Sequence, residues 1–325
     1  MTKAIQVNQY GGPEVLEWND VALGDPGPGE ARVRHTAVGL NFIDTYMRTG
    51  LYPLPGFPSG IGLEGAGIVE AVGEGVTDVK VGGRVAYAGG PPGAYSEARV
   101  MPVGRLIPIP HAIEDQTAAA MMLKGMTAQY LLRQTYVVKA GDTILTHAAA
   151  GGVGLILCQW AKHLGATVIG TVGSDEKAEL AKANGCDHPI IYTRENFTER
   201  VREITDGKGV PVVYDSVGAA TWEGSLDCLQ PRGLMVSFGN ASGKVEPVEP
   251  VTLSAKGSLF LTRPTLIHYT ATRAELLATA GDLFDVVGPG HVKISVNQTY
   301  DLADAAQSHR DLEGRKTTGS TVLLT

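Results

Sequence analysis

The segment Thr143-Ile-Leu-Thr-His-Ala-Ala-Ala-Gly-Gly-Val-Gly-Leu-Ile-Leu-Cys-Gln-Trp-Ala-Lys-His-Leu-Gly165 decides how the chain folds. Thr143–His147 has the composition of a strand. Val153, Ile156, Leu157, Trp160, Ala161 and Leu164 recur at the spacing of one buried helix face, predicting a helix over Val153–Leu164 that Gly165 stops. The turn between them, Ala148–Gly154, places residues without bulky side chains where a pyrophosphate must approach the backbone. The helix N-terminus adds unpaired amides and partial positive charge. A Cβ at Gly152 would obstruct that approach, and Gly154 allows the helix to pack closely on the sheet. A glycine cluster alone is weak evidence, since such turns also serve packing. Here the flanking strand, the periodic helix and a second strand at the correct distance point to a bound dinucleotide.

The alternation continues on the C-terminal side. Strands are expected at Thr167–Val172, Pro189–Tyr192, Pro211–Asp215, Leu234–Phe238 and Ser258–Thr262. The intervening helices are Asp175–Asn184, with Ser174 as N-cap and Gly185 as stop, then Phe197–Thr205 and Trp222–Leu229; Pro231-Arg-Gly233 reads as a turn. Strands joined by crossovers make a doubly wound parallel sheet, so this part of the chain is α/β. Toward the N-terminus the texture differs. Arg32–Val38, Ala66–Val72 and Gly83–Tyr87 are short β-like runs between turn-rich stretches, which predicts a compact, mostly β unit. After Pro264, helices at Arg273–Val287 and Leu302–Leu312 precede a final strand at Ser320–Leu324, and this tail is expected to rejoin the first unit. The expected division is 1–123 with 264–325 for the β-rich domain and 124–263 for the dinucleotide domain.

Roughly 20 residues past the first glycine, an NAD site carries an acid at the end of its second strand to bond the ribose 2′-hydroxyl. This strand ends Gly170-Thr-Val-Gly-Ser174. Small residues there leave room for a 2′-phosphate and Lys177 offers positive charge, so NADP(H) is the expected cofactor. Asp175 and Glu176 complicate that reading, although acids also stabilise the first turn of a helix.

The whole chain sets limits. Its 325 residues exceed the roughly 250–300 at which one core stops growing, so two domains are expected. A formal net charge of −7 without a basic stripe argues against nucleic acid as the main partner. No run reaches the ~20 apolar residues of a membrane helix, and no signal sequence is evident, so a cytoplasmic protein is expected. Cys158, Cys186 and Cys228 are widely spaced and suggest neither disulfides nor a thiolate zinc site.

Dispersed segments resemble the zinc-independent quinone oxidoreductases of the medium-chain dehydrogenase/reductase superfamily, including the zeta-crystallin relatives. They are Gly39-Leu-Asn-Phe-Ile-Asp-Thr-Tyr46, Gly50-Leu-Tyr-Pro53, Glu64-Gly-Ala-Gly67, Ala148–Gly154, Val213-Tyr-Asp-Ser-Val-Gly218 and Ser237-Phe-Gly-Asn240. The resemblance implies a GroES-like catalytic domain built from both chain ends, a Rossmann domain, and the cofactor in the cleft. It places Asn41 and Tyr46 near the nicotinamide, and Lys177, Tyr192 and Arg315 at the 2′-phosphate. Ser216, Phe238, Gly239, Asn240 and Ser242 are carried over to the ribose and pyrophosphate, with Thr262 and Arg263 on the nicotinamide side. Asp44, Thr127, Gly151, Gly152, Val153, Gly173 and Ser174 complete the expected cofactor surface. Zinc-dependent relatives use a Cys and a Gly-His-Glu segment; here Asn41 lies in the region of that Cys and the segment reads Gly62-Leu-Glu64. No metal is therefore expected.

A simple ketone reduced by hydride develops alkoxide charge that needs a Lewis acid or strong donor. A quinone is electrophilic already and spreads the charge over an aromatic product, so a small quinone is the expected acceptor. Asn41, Tyr46 and Tyr52 are the candidate catalytic residues. The two phenols offer a flat face and a donor, or alternatively only pack the wall, with water protonating the product. Asp44 orients Tyr46 or the cofactor, or caps backbone amides. His147 reads as a packed strand-end residue. The stiff loop Tyr52–Pro58 forms a lip over the acceptor or is a rigid surface loop. An α,β-unsaturated carbonyl is an alternative acceptor that also takes hydride at carbon; a structural or RNA-binding crystallin-like protein is a minor alternative. The apolar strand Ser258–Thr262 suggests edge pairing with a second copy, and the resemblance also implies a homodimer.

Overall fold

The computed structural model describes every residue from Met1 to Thr325. The chain divides into two compact units, one of Met1–Met126, Thr270–Gly288 and Ile294–Thr325, the other of Thr127–Tyr269 and Pro289–Lys293.

In the second unit the six strands are Thr143–Thr146, Thr167–Val172, His188–Ile191, Val210–Asp215, Leu229–Ser237 and Phe260–Thr262. All pair in parallel, and numbered in chain order they lie 3-2-1-4-5-6. That order reverses between Thr143–Thr146 and Val210–Asp215, so the carboxyl ends of these two strands mark the switch point where such sheets bind ligands. Leu145, Ile169, Ile190, Val213 and Met235 bury the sheet against Val201, Trp222 and Leu226 of the covering helices. Pro231-Arg-Gly233 differs from expectation. The strand continues through it, and its pairing jumps from Val210↔Leu229 to Val212↔Leu234, with Arg232 at φ 63 accommodating the extra residues as a bulge.

In the first unit the strands Val296–Asp301, Ser320–Leu324, Glu30–Leu40, Glu64–Val72, Arg84–Ala88 and Ile107–Pro108 lie in that order, with Ala98–Pro102 also paired to Glu30–Leu40. The tail does return: Ser320–Leu324 runs antiparallel to Glu30–Leu40, with Val322 opposite Gly39. A second sheet joins Glu17–Val21, Thr2–Val7 and Ser59–Gly60. Ile5, Val33, Val38, Ile61, Val69, Tyr87 and Tyr95 form the buried centre of this mostly β unit.

Several elements of this unit lie outside the expected set, among them the strands Thr2–Val7, Glu17–Val21, Ala98–Pro102 and Val296–Asp301 and the helices Phe42–Arg48 and Asp115–Tyr130. Val296–Asp301 alternates half-buried and exposed residues and owes its order to parallel pairing with Ser320–Leu324. Phe42–Arg48 is a short helix entered through Asn41, whose backbone N–H donates to the Asp44 carboxylate. No helix is long and apolar enough to cross a membrane.

Candidate active site

On the second unit, Thr143–Thr146 leads through Ala148, at φ 54, into the helix Gly152–His163. Gly151 is the N-cap and provides no side-chain cap, and the first turn holds no acid. The opening amides of an α-helix have no intrahelical acceptor, so this end is open to an anion. A Cβ on Gly154 would overlap the carbonyl oxygen of Ala148 and the backbone of Ala149. Here glycine permits the close approach of helix and turn, whereas the sequence reading has it packing the helix on the sheet. His147 is buried: its Nε2 donates to Ser225 Oγ at 2.9 Å, Ser225 donates to Asp215 at 2.8 Å, and Thr171 Oγ1 donates to His147 Nδ1 at 2.8 Å. Burial holds its pKa below the usual imidazole range. This is the packed strand-end histidine expected.

Across the switch point, Asp215 Oδ1 accepts the amides of Val217 and Gly218, at 2.8 and 2.9 Å, and so shapes the turn that starts at Ser216. The neighbouring turn, Phe238 to Ser242, locks onto it: Ser242 Oγ donates to Val217 O and accepts from Ala220 N, and a Cβ on Gly239 would overlap Ser216 O. Arg263, just past the edge strand, donates to Ser237 O at 2.8 Å, which ties its side chain to the end of the adjacent strand; Thr262 is half-buried beside it.

At the end of the second strand, Ser174 caps Asp175–Ala183 by accepting Lys177 N–H. Its hydroxyl also holds the Glu176 carboxyl below the ordinary range. Thr193 Oγ1 donates to Gly173 O, and the Tyr192 hydroxyl lies close enough to Gly173 that a Cβ there would make it shift. Arg194, which sequence reasoning missed, makes a two-pronged ion pair with Asp175 at 2.6 and 2.9 Å. Of the two acids that complicate the NADP reading, Asp175 is therefore charge-balanced, and Glu176 stands outside that pair. Thr127, another expected cofactor residue, is buried in the helix Asp115–Tyr130. Arg315 belongs to the first unit, at φ 58 after the helix Ala305–Glu313.

The first unit gathers a buried polar cluster. Adjacent antiparallel strands, Val38 opposite Gly65, bring Asn41 and Glu64 together. Asn41 Nδ2 donates to Glu64 Oε2 at 2.7 Å, Lys124 Nζ lies 3.3 Å from the same oxygen, and Leu123 N donates to Oε1 at 2.7 Å. Glu64, Lys124 and Asn41 are all buried. The Glu64–Lys124 pair gave no local signal, because the partners are 60 residues apart. Asp44 turns inward: Oδ2 accepts from Asn41 N and from the Tyr95 hydroxyl, both at 2.9 Å, so of its expected roles the cap is the one observed. Tyr46 is buried and meets Tyr52 edge-on, with ring centres 5.3 Å apart. In the proline loop, Phe57 packs edge-on against Tyr10.

These donors do not fit zinc. Leu63 occupies the middle of Gly62-Leu-Glu64, and an ammonium and an amide N–H₂ occupy the Glu64 oxygen. No group of three or more His, Cys, Asp or Glu side chains is arranged to hold a metal ion.

A parallel sheet in the order 3-2-1-4-5-6 with a glycine turn at its switch point, joined to a β unit drawn from both chain ends, defines a medium-chain dehydrogenase/reductase. Family models agree: residues 27–111 match the alcohol dehydrogenase GroES-like domain and 152–285 the zinc-binding dehydrogenase model. A quinone oxidoreductase of Pseudomonas aeruginosa is 60% identical over 324 residues, covering all of both chains. The structure of Escherichia coli quinone oxidoreductase complexed with NADPH is 51% identical and superposes with a TM-score of 0.98, covering 99% of this chain and 100% of that one. A 2-haloacrylate reductase of a Burkholderia species is 51% identical over 332 residues, covering 100% of this chain and 99% of that one. The chain belongs to the quinone oxidoreductase family.

Proposed function

We propose that the protein is an NADPH-dependent reductase of small quinones that works without zinc, as a cytoplasmic homodimer. The observation that carries the reading is the second-strand end. Gly173 and Ser174 present no acid, Lys177 lies on the first turn beyond them, and Asp175 is neutralised by Arg194. Such a surface accepts a 2′-phosphate that an unpaired carboxylate would repel. The uncapped amides at Gly152 and Val153 take the pyrophosphate, the turns at Ser216–Gly218 and Phe238–Ser242 line the ribose, and Tyr192 joins Lys177 at the phosphate.

When bound, NADPH supplies a hydride. Residues 1–123 and 264–325 act as the catalytic domain, residues 124–263 as the cofactor domain. Glu64 accepts from the Asn41 N–H₂, and the capping box ties the Asn41 side chain to the Asp44 backbone N–H, so the amide is held in one orientation. Tyr46 and Tyr52 offer ring faces to a flat acceptor.

Pairing of two copies is supported by the edge strand Phe260–Thr262, where Phe260 is 62% exposed and Leu261 38%. The compartment is supported by three free, buried cysteines.

The 51% identity to a 2-haloacrylate reductase favours a second reading, reduction of an activated alkene. Product analysis after incubation with NADPH decides between them. Hydroquinone from a naphthoquinone supports the first; loss of the alkene from a haloacrylate or enone, without quinone turnover, supports the second.

A further inference from the structure

Asp44 is fully buried, and the Tyr95 hydroxyl that donates to it is the end of a longer line. Tyr95 Oη lies 3.1 Å from His309 Nε2, His309 Nδ1 lies 3.1 Å from Arg48 Nη1, and Arg48 is held by Glu313 at 2.7 and 2.9 Å. A guanidinium only donates. His309 Nδ1 must therefore accept, the neutral ring carries its proton on Nε2 and gives it to the Tyr95 oxygen, and the single Tyr95 proton goes to Asp44. Burial, then the Arg48 charge, holds His309 down to about 3. Burial, then the Asp44 charge, keeps the Tyr95 phenol well above its usual range. Both groups are thus neutral at physiological pH, and every bond runs from Arg48 toward Asp44. A line that begins on a guanidinium has no proton to release. What it provides is a fixed donor aimed at a buried carboxylate.

Asp44 depends on that donor. Burial pushes its carboxyl up to about 7, and Glu64 acts in the same direction; the Asn41 N–H, the Tyr95 hydroxyl and the Lys124 charge pull it down. Oδ1 has no hydrogen-bond partner, so the support for the ionised form falls on Oδ2. Once protonated, Asp44 weakens as the acceptor that holds the Asn41 backbone, while Glu64 still pulls on the Asn41 side chain.

We propose that the line Arg48–His309–Tyr95 is a positioning device for Asn41, keeping Asp44 an acceptor so that the cofactor contact made by Asn41 depends on Tyr95 and His309. This rests on the reading of Asn41 as a residue of the nicotinamide end. Tyr95 and His309 are positioning residues, reaching that end only through Asp44.

The test uses the full-length protein, Tyr95→Phe, His309→Met and His309→Gln. Glutamine can accept from Arg48 through its oxygen and donate to Tyr95 through its nitrogen, so it preserves the direction of the line; methionine cannot. Asp44 titration is followed by carboxyl ¹³C NMR without cofactor, and the dissociation constant for NADPH is measured by fluorescence quenching from about pH 6 to 9. Breaking the line raises the Asp44 pKa, so affinity is lost as pH falls through the raised value and recovered above it. In Tyr95→Phe and His309→Met the Asp44 midpoint and the acid limb of NADPH affinity both move up by roughly one pH unit, and His309→Gln follows the unchanged protein. An Asp44 midpoint that stays in place in Tyr95→Phe overturns the proposal, with or without NADPH binding. So does an NADPH affinity that falls equally at every pH. If the unchanged protein shows no affinity for NADPH, the cofactor assignment fails instead, and the Asp44 midpoint alone decides whether the line holds that carboxylate.

Discussion

Arg194 clasps Asp175 through both of its terminal nitrogens, at the point where the dinucleotide fold chooses between a ribose hydroxyl and a ribose phosphate. The pair is solvent-exposed, so its value lies in charge balance at this strand end rather than in stability. Arg194→Gln is expected to weaken NADPH several-fold while leaving NADH nearly unchanged, and Asp175→Asn in that background is expected to restore part of the loss. Equilibrium binding of 2′-phosphorylated and unphosphorylated adenosine nucleotides checks this; equal losses for both would disconnect the ion pair from cofactor choice.

The turn at Ala148–Gly154 tolerates no side chain at its packing glycine. Gly154→Val drives a branched Cβ into Ala148 O and the Ala149 backbone, which is expected to cost about 1–3 kcal/mol by overpacking and to weaken NADPH strongly by displacing the first helical amides. Urea unfolding and NADPH titration measure the two effects. A variant with unchanged stability and affinity would show that the turn relaxes freely.

Trp160 is buried to 1% exposure, yet its indole N–H has no hydrogen-bond partner. Removing an unsatisfied buried donor relieves a penalty of about 1–3 kcal/mol, which offsets the loss of ring surface. Trp160→Phe is therefore expected to destabilise by less than about 1.5 kcal/mol, against about 3–5 kcal/mol for Trp160→Ala. A large loss in Trp160→Phe, read from the urea midpoint, would mean that the indole nitrogen does find a partner.

Tyr46 is proposed to offer its ring face, with solvent protonating the product. Tyr46→Phe should then hold kcat within about twofold, while Tyr46→Ala raises the quinone KM. A collapse of kcat in the phenylalanine variant, with KM preserved, would make the hydroxyl an obligatory acid.

Much of the cofactor half was legible because its signals are local. The periodic face from Val153 to Leu164, the stop at Gly165 and the cap at Ser174 each depend on residues within one or two turns, and Thr167–Val172 has the expected bounds. The same reasoning took Pro231-Arg-Gly233 as a turn, since nothing local shows that the parallel partners on either side carry the strand through a bulge. The polar core of the first unit was the least legible. Asn41 and Asp44 stand out in the sequence, but Lys124 meets Glu64 across 60 residues, Tyr95 meets Asp44 across 51, and His309 meets Tyr95 across 214. Periodicity does not report contacts made only when distant strands close a sheet. Arg194 was hidden in the same way, 19 residues from its partner.

The central claim is that a strand end closing on Gly173 and Ser174, with Asp175 beyond it paired to Arg194, serves NADPH-driven reduction of quinones. Steady-state turnover of a naphthoquinone with NADPH and with NADH, at matched concentrations below saturation, tests it most directly. The account predicts quinone turnover with kcat/KM at least about tenfold higher for NADPH. A preference for NADH, or no quinone turnover alongside reduction of an enone, would contradict it.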